Sequence, residues 1–186
     1  MALKATVIKA ELHVSDMDRH YYGTHNLTLA QHPSETADRL MVRVLAFALF
    51  ADGQLAFGRG VSTDDEPDLW QRDLGGDIER WIELGQPDES RIRRACGRAR
   101  EVVVIGYQPR SFAPWWEKNT AALARQDKLR VLELPRGITE ELAALFERNM
   151  SLQCMIQDGE VQLIGAAATV SFTPIVHQAP GDASRS

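Results

Sequence analysis

The Gly75-Gly76 pair lies between two β-prone segments and is typical of a two-residue β-hairpin turn. If Leu74 pairs with Asp77 across that turn, side chains alternate along the two strands in a fixed register. This register predicts three cross-strand pairs that project from one face of the sheet: Trp70–Trp81, Arg72–Glu79 and Asp68–Glu83. The hairpin therefore constrains both the local fold and the position of two acidic side chains.

The Asp68–Glu83 pair is the unusual member of this set. Directly opposed Cβ atoms lie roughly 4.5–5.5 Å apart, so two carboxylates there repel unless a cation or a shared proton lies between them. The other two pairs favour the same register, which indicates that the repulsion is tolerated because it serves a site. The alternative is a solvated acidic loop beside two tryptophans that only pack.

The chain has 186 residues, of which 44% are hydrophobic, enough to bury the core of one domain. We expect that domain to cover residues 1–176, and the segment 177–186 to be a disordered tail because it lacks apolar residues to dock. Lysine and glutamate interrupt the apolar residues near the N-terminus, so we predict no signal peptide, no membrane association and a cytoplasmic location.

Charge limits the partners that the surface can hold. A net charge of −5 and a pI of about 5.5 exclude a basic field over the whole surface, so nucleic acid would need a local patch. Arg91, Arg94 and Arg98 supply such a patch on the helix expected after Pro87. The alternatives are a solvated face and a contact with a protein partner.

The two cysteines give no sign of a disulfide or zinc site. Cys96 and Cys154 lie in apolar segments and lack CxxC spacing, so we expect two buried, reduced thiols.

Pro33 suits the first position of a helix, where its missing N–H group is not needed. Glu35 then falls in the first turn, where its charge would complement the helix dipole. A second interpretation aims Glu35 at the acidic hairpin. The buried stripe of this helix is expected at Met41, Val44, Leu45 and Ala48.

Periodicity and turn residues predict the remaining elements. Expected strands are Thr6–Val14, His20–Leu29, Leu55–Val61, Asp68–Asp73, Asp77–Leu84, Glu101–Tyr107, Arg130–Leu134, Leu152–Ile156, Glu160–Ile164 and Thr169–Thr173, and expected helices begin at Pro33, Pro87, Pro114 and Thr139. From Pro33 the order is helix, three strands, helix, strand, and the last step should be a right-handed parallel crossover. The prediction is an α/β (α+β) fold: a mixed sheet with additional β-hairpins at both ends.

Two carboxylates on adjacent strands are hard oxygen ligands suited to Mg²⁺ or Mn²⁺. Asp68 and Glu83 would be the principal ligands, and the carbonyl of Leu84 could add another. Asp64 and Glu35 are accessory acids. Such a cation can activate water and stabilise charge that develops on a phosphate group.

The element order, the Pro67-Asp68 dipeptide and Glu83 together resemble the PD-(D/E)XK nuclease superfamily. The resemblance implies an α-β-β-β-α-β core, metal binding by the aspartate and the second acid, and a helical glutamate that would here be Glu35. A lysine two positions after the second acid is expected, but this chain has Gly85 there. Gln86 can orient water through hydrogen bonds but carries no positive charge.

The whole chain to about Val176 is similar to the YaeQ family, on the segments MALKATVIKAEL, DRHYY, HPSETADRLMVRVLAFAL, STDDEPDLW and WIELGQPDE. This resemblance implies a bacterial protein with a variant PD-(D/E)XK-like fold, and it implies no activity. From the opposed carboxylates and the resemblance to the PD-(D/E)XK superfamily, we expect a nuclease-like, metal-dependent phosphodiesterase in which Asp68, Glu83 and Gln86 are catalytic. The alternative is a binding protein of the same fold that has lost the catalytic lysine.

Overall fold

The computed structural model of the chain describes residues 4–59 and 65–182. Its contacts group into two compact units. One unit comprises Met1–Ala51 and Gly137–Pro174, and the other comprises Asp52–Arg136 and Ile175–Ser186. A single domain over residues 1–176 stays a prediction.

The described ranges contain eleven strands and four helices, arranged in two mixed sheets. In chain order they are β1 (Thr6–Asp16), β2 (Tyr21–Gln31), α1 (Ala37–Leu49), β3 (Leu55–Phe57), β4 (Leu69–Arg72), β5 (Ile78–Leu84), α2 (Glu89–Cys96), β6 (Ala99–Gly106), α3 (Pro109–Leu123), β7 (Leu129–Glu133), α4 (Ile138–Ala143), β8 (Asn149–Gln157), β9 (Glu160–Ile164), β10 (Thr169–Phe172) and β11 (Ile175–Gln178). The mixed α+β class and the predicted order of elements from α1 to β6 are confirmed.

The first unit contains a five-stranded sheet in the order β10-β9-β8-β1-β2. Both predicted hairpins are present, β1 with β2 and β8 with β9, and β1 pairs in parallel with β8 to join them. Asp158 and Gly159 form the tight turn of the second hairpin, with φ values of 52° and 77°. Asp18 accepts hydrogen bonds from both of their main-chain N–H groups, at 2.8 and 2.9 Å.

Helix α1 begins four residues later than the sequence predicted. Thr36 is its N-cap, and the Thr36 hydroxyl accepts a hydrogen bond from the N–H group of Arg39. A threonine that satisfies a first-turn N–H group sets the start more strongly than Pro33, which lies before the helix. Glu35 therefore precedes the cap, and its expected place in the first turn was wrong. The predicted apolar stripe is buried.

The second unit contains a six-stranded sheet in the order β11-β7-β6-β5-β4-β3. Strands β5, β6 and β7 are parallel, which confirms the predicted parallel crossover from β5 through α2 to β6. One face of this sheet packs against both α2 and α3. Its core comprises Trp81, Val102, Val104, Leu129 and Val131 from strands, with Ile92, Ala95, Cys96, Phe112 and Leu123 from helices.

Three further helix predictions need correction. Helix α2 begins at Glu89 after Asp88, not at Pro87, and α4 begins at Ile138 after the left-handed Gly137. Helix α3 begins at Pro109 and contains Pro114, which the sequence placed at its start. A proline suits the first position of a helix, so Pro109 fits the observed start of α3.

The segment 177–186, which we expected to be disordered, begins within a strand. Residues Ile175–Gln178 form β11, and Gln178 is buried. The Gln178 amide donates to the main-chain carbonyl oxygens of Leu123 (2.9 Å) and Gln126 (3.1 Å). A polar side chain held by main-chain carbonyls leaves no apolar signal in the sequence, which is why composition missed it.

Two smaller expectations concern thiols and membranes. Cys96 and Cys154 are buried and unpaired with each other, as predicted, and burial raises the pKa of Cys96 to about 11 and of Cys154 to about 12. Among the described helices, none has both the length and the apolar character of a membrane span.

Gly106 gives a test of the packing between β6 and α3. The ring of Phe112 packs so closely on Gly106 that an added Cβ atom would overlap it. We expect Gly106→Ala to lower the free energy of unfolding by about 1–3 kcal/mol, measured by urea denaturation, because overpacking displaces side chains or backbone. Gly53→Ala is the control, since a Cβ there meets no described atom within 4 Å. Equal losses in the two variants would contradict this packing.

Candidate functional site

The β4–β5 hairpin has the predicted register at its tryptophans but not at its turn. Trp70 pairs with Trp81, whereas Asp73 donates its N–H group to the carbonyl oxygen of Asp77 at 2.9 Å, which leaves a three-residue loop. Gly76 has a φ of 92° and donates to the carbonyl oxygen of Asp73. This is a type I turn followed by a left-handed residue.

The Asp73 side chain explains why the longer turn forms. Its Oδ1 atom accepts hydrogen bonds from the N–H groups of Gly75 and Asp77, each at 2.9 Å. The register then shifts by one residue between Gln71 and Arg72. Beyond this bulge the predicted register is restored toward the open end of the hairpin.

The two tryptophans are in contact, as predicted, but the expected Arg72–Glu79 pair was wrong. The rings of Trp70 and Trp81 meet edge to face with centroids 6.1 Å apart. Because of the bulge, Arg72 pairs with Ile78, and its guanidinium group lies 4.2 Å from the ring centroid of Trp70. Glu79 instead forms an ion pair with Arg100.

Asp68 and Glu83 lie at the open end of the hairpin. Asp68 immediately precedes β4, and the pairing of Leu69 with Ile82 places Asp68 opposite Glu83. The Oδ2 atom of Asp68 accepts a hydrogen bond from the N–H group of Leu84 at 2.8 Å. The charge of Asp68 also raises the pKa of Glu83, so the two carboxyl groups interact electrostatically.

Glu83 is a buried carboxyl group with two strong donors. Its Oε1 atom accepts hydrogen bonds from Trp81 Nε1 at 2.8 Å and from Arg91 Nε at 2.7 Å. Burial is the largest influence and raises the pKa of Glu83 above its ordinary value, and Asp68 adds to the rise. The Trp81 hydrogen bond and the Arg91 charge oppose it. Glu83 is therefore desolvated, and its hydrogen bonds and its ion pair offset only part of the cost of burying its charge.

Arg91 links this carboxyl group to the segment before β4. Its second terminal nitrogen donates to the main-chain carbonyl oxygen of Glu66 at 2.8 Å. One guanidinium group thus contacts β5 at Glu83 and the chain two residues before Asp68. Arg91 does not lie on a simple solvated face, which was one interpretation of its position in the sequence.

Leu84, Gly85 and Gln86 follow Glu83 at this end of β5. Since the N–H and C=O groups of one residue in a strand point to the same side, the Leu84 carbonyl lies on the edge that faces Asp68. Gly85 has a φ of 99° and continues the pairing to Ile105. The side-chain nitrogen of Gln86 is buried and has no hydrogen-bond acceptor among the described residues.

The predicted arginine patch forms a cleft beside Glu83. Arg91, Arg94 and Arg98 line a cavity of about 390 Å³, together with Asp65, Trp81, Ala95 and Gly97. The guanidinium group of Arg98 lies 5.1 Å from the ring centroid of Trp81. Two of the lining residues, Trp81 and Arg91, also bond to Glu83, so the cleft adjoins the carboxyl pair.

The accessory acids are not part of this described cluster. Glu35 belongs to the first unit, where Arg43 donates to both of its carboxylate oxygens, at 3.1 and 3.2 Å. Glu35 lies directly before the N-cap of α1 and pairs with a side chain of that helix. Asp64 lies outside the described residues. Within residues 4–59 and 65–182, no group of three or more His, Cys, Asp or Glu side chains could hold a metal ion.

The sequence missed the roles of Trp81 and Arg91 as partners of Glu83. Trp81 could have been found, because residues two apart on a strand share a face. Arg91 could not, since its contact depends on how α2 packs against β5.

Comparison with known proteins identifies the chain by family. The family model described as YaeQ protein matches residues 1–174. The chain belongs to the YaeQ family. A YaeQ protein of Salmonella typhi, described as uncharacterized, is 42% identical over 180 residues, covering 97% of this chain and 99% of the relative. The similarly described YaeQ of Escherichia coli K12 is 44% identical over 163 residues, covering 88% of this chain and 90% of the relative.

Solved YaeQ structures share the fold over nearly the whole chain. The crystal structure of YaeQ from Xanthomonas axonopodis pv. citri is 60% identical, with a TM-score of 0.92, and the match covers 95% of this chain and 99% of that one. The structure from Pseudomonas syringae is 33% identical, with a TM-score of 0.88 and coverage of 94% and 97%. These names establish the family and its bacterial members and state no activity.

The raised pKa of Glu83 gives a pH-dependent test. Between the ordinary value of 4.5 and the raised folded value, the native protein holds more protons at Glu83 than the unfolded chain does. The contribution of Glu83 to stability therefore falls as the pH rises through this range. Glutamine does not titrate, so the melting temperature of Glu83→Gln relative to wild type should shift in favour of the variant as the pH rises from below 4.5 to neutral.

The matched control for this experiment is Asp77→Asn. It also removes one negative charge from the hairpin, but at the exposed turn. The melting-temperature difference between Glu83→Gln and wild type is first corrected by the difference measured for this control. If the corrected difference shifts in favour of wild type as the pH rises, Glu83 is not a desolvated acid.

Proposed function

We propose that this YaeQ protein is a nuclease-like phosphodiesterase that requires Mg²⁺ or Mn²⁺ and acts through Asp68, Glu83 and Gln86. The observation that carries the proposal is the buried Glu83 carboxyl group, whose pKa is raised by desolvation and by Asp68. Two acids held together at the end of paired strands favour a cation between them. Nucleic acid is the proposed substrate class.

A PD-(D/E)XK-like core is part of the same proposal. The order α1, β3, β4, β5, α2, β6 matches the α-β-β-β-α-β pattern, and the meander β3-β4-β5 with its parallel crossover to β6 lies in one sheet. Asp68 immediately precedes the second strand of this meander and Glu83 lies on the third, which supports the proposed core. We also propose that the protein is located in the cytoplasm.

The donor set fits a divalent cation. Asp68, Glu83 and the Leu84 carbonyl would hold it, since all three supply oxygen ligands at one edge of the hairpin. When bound, the cation would activate water and stabilise charge on the phosphate group. The buried amide nitrogen of Gln86, which has no acceptor among the described residues, supports the same assignment, because such a donor calls for an acceptor. Asp64 remains a proposed accessory ligand.

Each side chain then has a separate task. Gln86 would donate a hydrogen bond from Nε2 to the attacking water or to a phosphate oxygen, which orients that group without adding charge. Trp81 and Arg91 hold the Oε1 atom of Glu83, and its other oxygen would be the ligand to the cation. The fixed carboxyl group does not have to reorganise during the reaction.

One observation favours the alternative of a non-catalytic binding protein. Arg91 already supplies a positive charge to Glu83 at 2.7 Å, so the carboxyl pair has a partner without a metal ion. A protein that has lost the catalytic lysine could keep this ion pair and bind nucleic acid or a protein through the arginine cleft.

Asp68→Asn separates these two functions. If the protein is a nuclease, Mn²⁺ should bind to wild type in calorimetry, and cleavage of short DNA or RNA strands should depend on the cation. Removing one carboxylate ligand should then reduce cleavage on the order of 100-fold or more. The control is Asp77→Asn, the same change at the opposite end of the hairpin, which should bind the cation and cleave as wild type does.

Two outcomes would contradict a metal-dependent nuclease. Cleavage that persists without a divalent cation would remove the metal from the mechanism. Nucleic-acid binding without cleavage, equal in wild type and Asp68→Asn, would instead support the binding protein.

Gln86→Met tests the role of the buried amide. Methionine has a similar shape and removes the unsatisfied donor, whose desolvation penalty is about 1–3 kcal/mol. We therefore expect the variant to be more stable than wild type in urea and to lose cleavage. Gln54→Met, at an exposed glutamine, is the control and should change neither property. A destabilised Gln86→Met variant that keeps wild-type cleavage would exclude Gln86 from the site.

A further inference from the structure

The arginine cleft has features that a solvated helix face does not require. Arg91 and Arg94 lie about one turn apart on α2, and Arg98 follows directly after Gly97, the C-cap of that helix. All three line one cavity of about 390 Å³. Guanidinium groups repel one another, so their convergence in a protein of net charge −5 calls for an anion.

The positive charge of the cleft is only partly cancelled. Glu83 neutralises Arg91 at 2.7 Å. Arg98 donates to the main-chain carbonyl oxygen of Asp65, at 3.3 Å, and a carbonyl group carries no net charge. Asp65 is the acidic residue among the described lining residues, so the cleft has one carboxylate for the two remaining arginine charges. A ligand that brings negative charge and several acceptor oxygens complements the excess positive charge of the cleft.

We propose that the cleft lined by Arg91, Arg94 and Arg98 is a subsite for the terminal phosphate of a nucleic-acid strand. The identity of the ligand as nucleic acid rests on the proposed function, whereas the preference for a phosphorylated end is new. The carboxyl pair would then act close to a strand end.

The ligand chemistry favours a terminal over an internal phosphate group. A phosphate monoester has three non-bridging oxygens and a charge of roughly −1.5 to −2 at neutral pH. An internal diester has two such oxygens and a single charge. The arginines of the cleft, with two charges that Glu83 does not neutralise, therefore gain more hydrogen bonds and more charge compensation from the monoester.

The floor of the cleft argues against base recognition. Trp81 is only 2% exposed, and its ring lies beneath the guanidinium group of Arg98. It cannot offer an open face on which a base could stack. Phosphate contacts therefore dominate in this cleft, and little sequence preference is expected.

Arg91 connects the subsite to the proposed chemistry. Its guanidinium group lines the cleft and bonds to Glu83, so a phosphate bound there lies one side chain away from the carboxyl pair. Arg91 is for this reason unsuitable as a test variant, since its loss would leave Glu83 buried without its cation. Arg94 lines the cleft from an exposed position on α2 and is the better choice.

The test is a binding experiment by fluorescence anisotropy at low salt in EDTA, with one short single-stranded DNA prepared in three forms. The forms carry a 5′-phosphate, a 3′-phosphate or hydroxyl groups at both ends. We expect wild type to bind one phosphorylated form about tenfold more tightly than the hydroxyl form, the gain expected from a charge-assisted hydrogen bond. The preferred form identifies which end of the strand enters the cleft.

Two variants assign that preference to the cleft. Arg94→Gln should bind all three forms equally. Arg93→Gln, the control, removes the same charge from a neighbouring position that pairs with Glu89 and does not line the cleft. It should keep the preference of wild type.

Failure of this inference is distinguishable from failure of the proposed function. Equal binding of the three DNA forms by wild type, or an unchanged preference in Arg94→Gln, would overturn the subsite, even if metal-dependent cleavage occurs. A phosphoserine peptide that competes better than the phosphorylated DNA would overturn the ligand class. Because EDTA removes divalent cations, a preference that Arg94→Gln abolishes would support the subsite even if the carboxyl pair binds no metal.

Discussion

The arrangement of the second unit depends on how one buried carboxyl group is compensated. Glu83 loses its hydration on β5, and Trp81 and Arg91 replace part of that hydration with two short hydrogen bonds to a single oxygen. Arg91 comes from α2 and also reaches the carbonyl oxygen of Glu66. Strand β5, helix α2 and the chain before β4 are therefore connected through Glu83. Removal of Trp81 or Arg91 would leave the buried Glu83 charge less compensated and repelled by Asp68.

Sequence reasoning succeeded where periodicity and turn chemistry act locally. Both terminal hairpins and the tryptophan pair were predicted because alternating side chains and polar or glycine-containing turns specify them. The parallel crossover was predicted because a helix connects the two strands. Helix starts were less predictable, since a proline marks a permitted start and a capping side chain selects the actual one. At α1 the hydroxyl of Thr36 determined the boundary. At the β4–β5 turn, hydrogen bonds to the Asp73 side chain selected a longer loop than Gly75-Gly76 suggested.

The candidate site also has one part that the sequence predicts and one part that it does not. The opposition of Asp68 and Glu83 followed from strand register and could be predicted, because the bulge lies on the turn side of the tryptophan pair. The attachment of Arg91 to Glu83 could not, since its spacing along α2 fits a solvated face equally well. Gln178 shows the same limit, because its anchoring carbonyl groups belong to a helix end distant in sequence. Contacts made by long polar side chains depend on tertiary packing that residue patterns do not encode.

The parallel pairing of β1 with β8 has a consequence for biosynthesis. The carboxylate of Asp18 binds the N–H group of Asp158, a partner 140 residues away in the chain. During translation, β1 has only β2 beside it until β8 leaves the ribosome, so its other edge offers unpaired main-chain groups to any passing strand. Contacts between the two chain ends also slow folding, because a long loop must close before they form. We expect the nascent chain to be most prone to aggregation in this interval, and a ribosome-associated chaperone would protect it most effectively there.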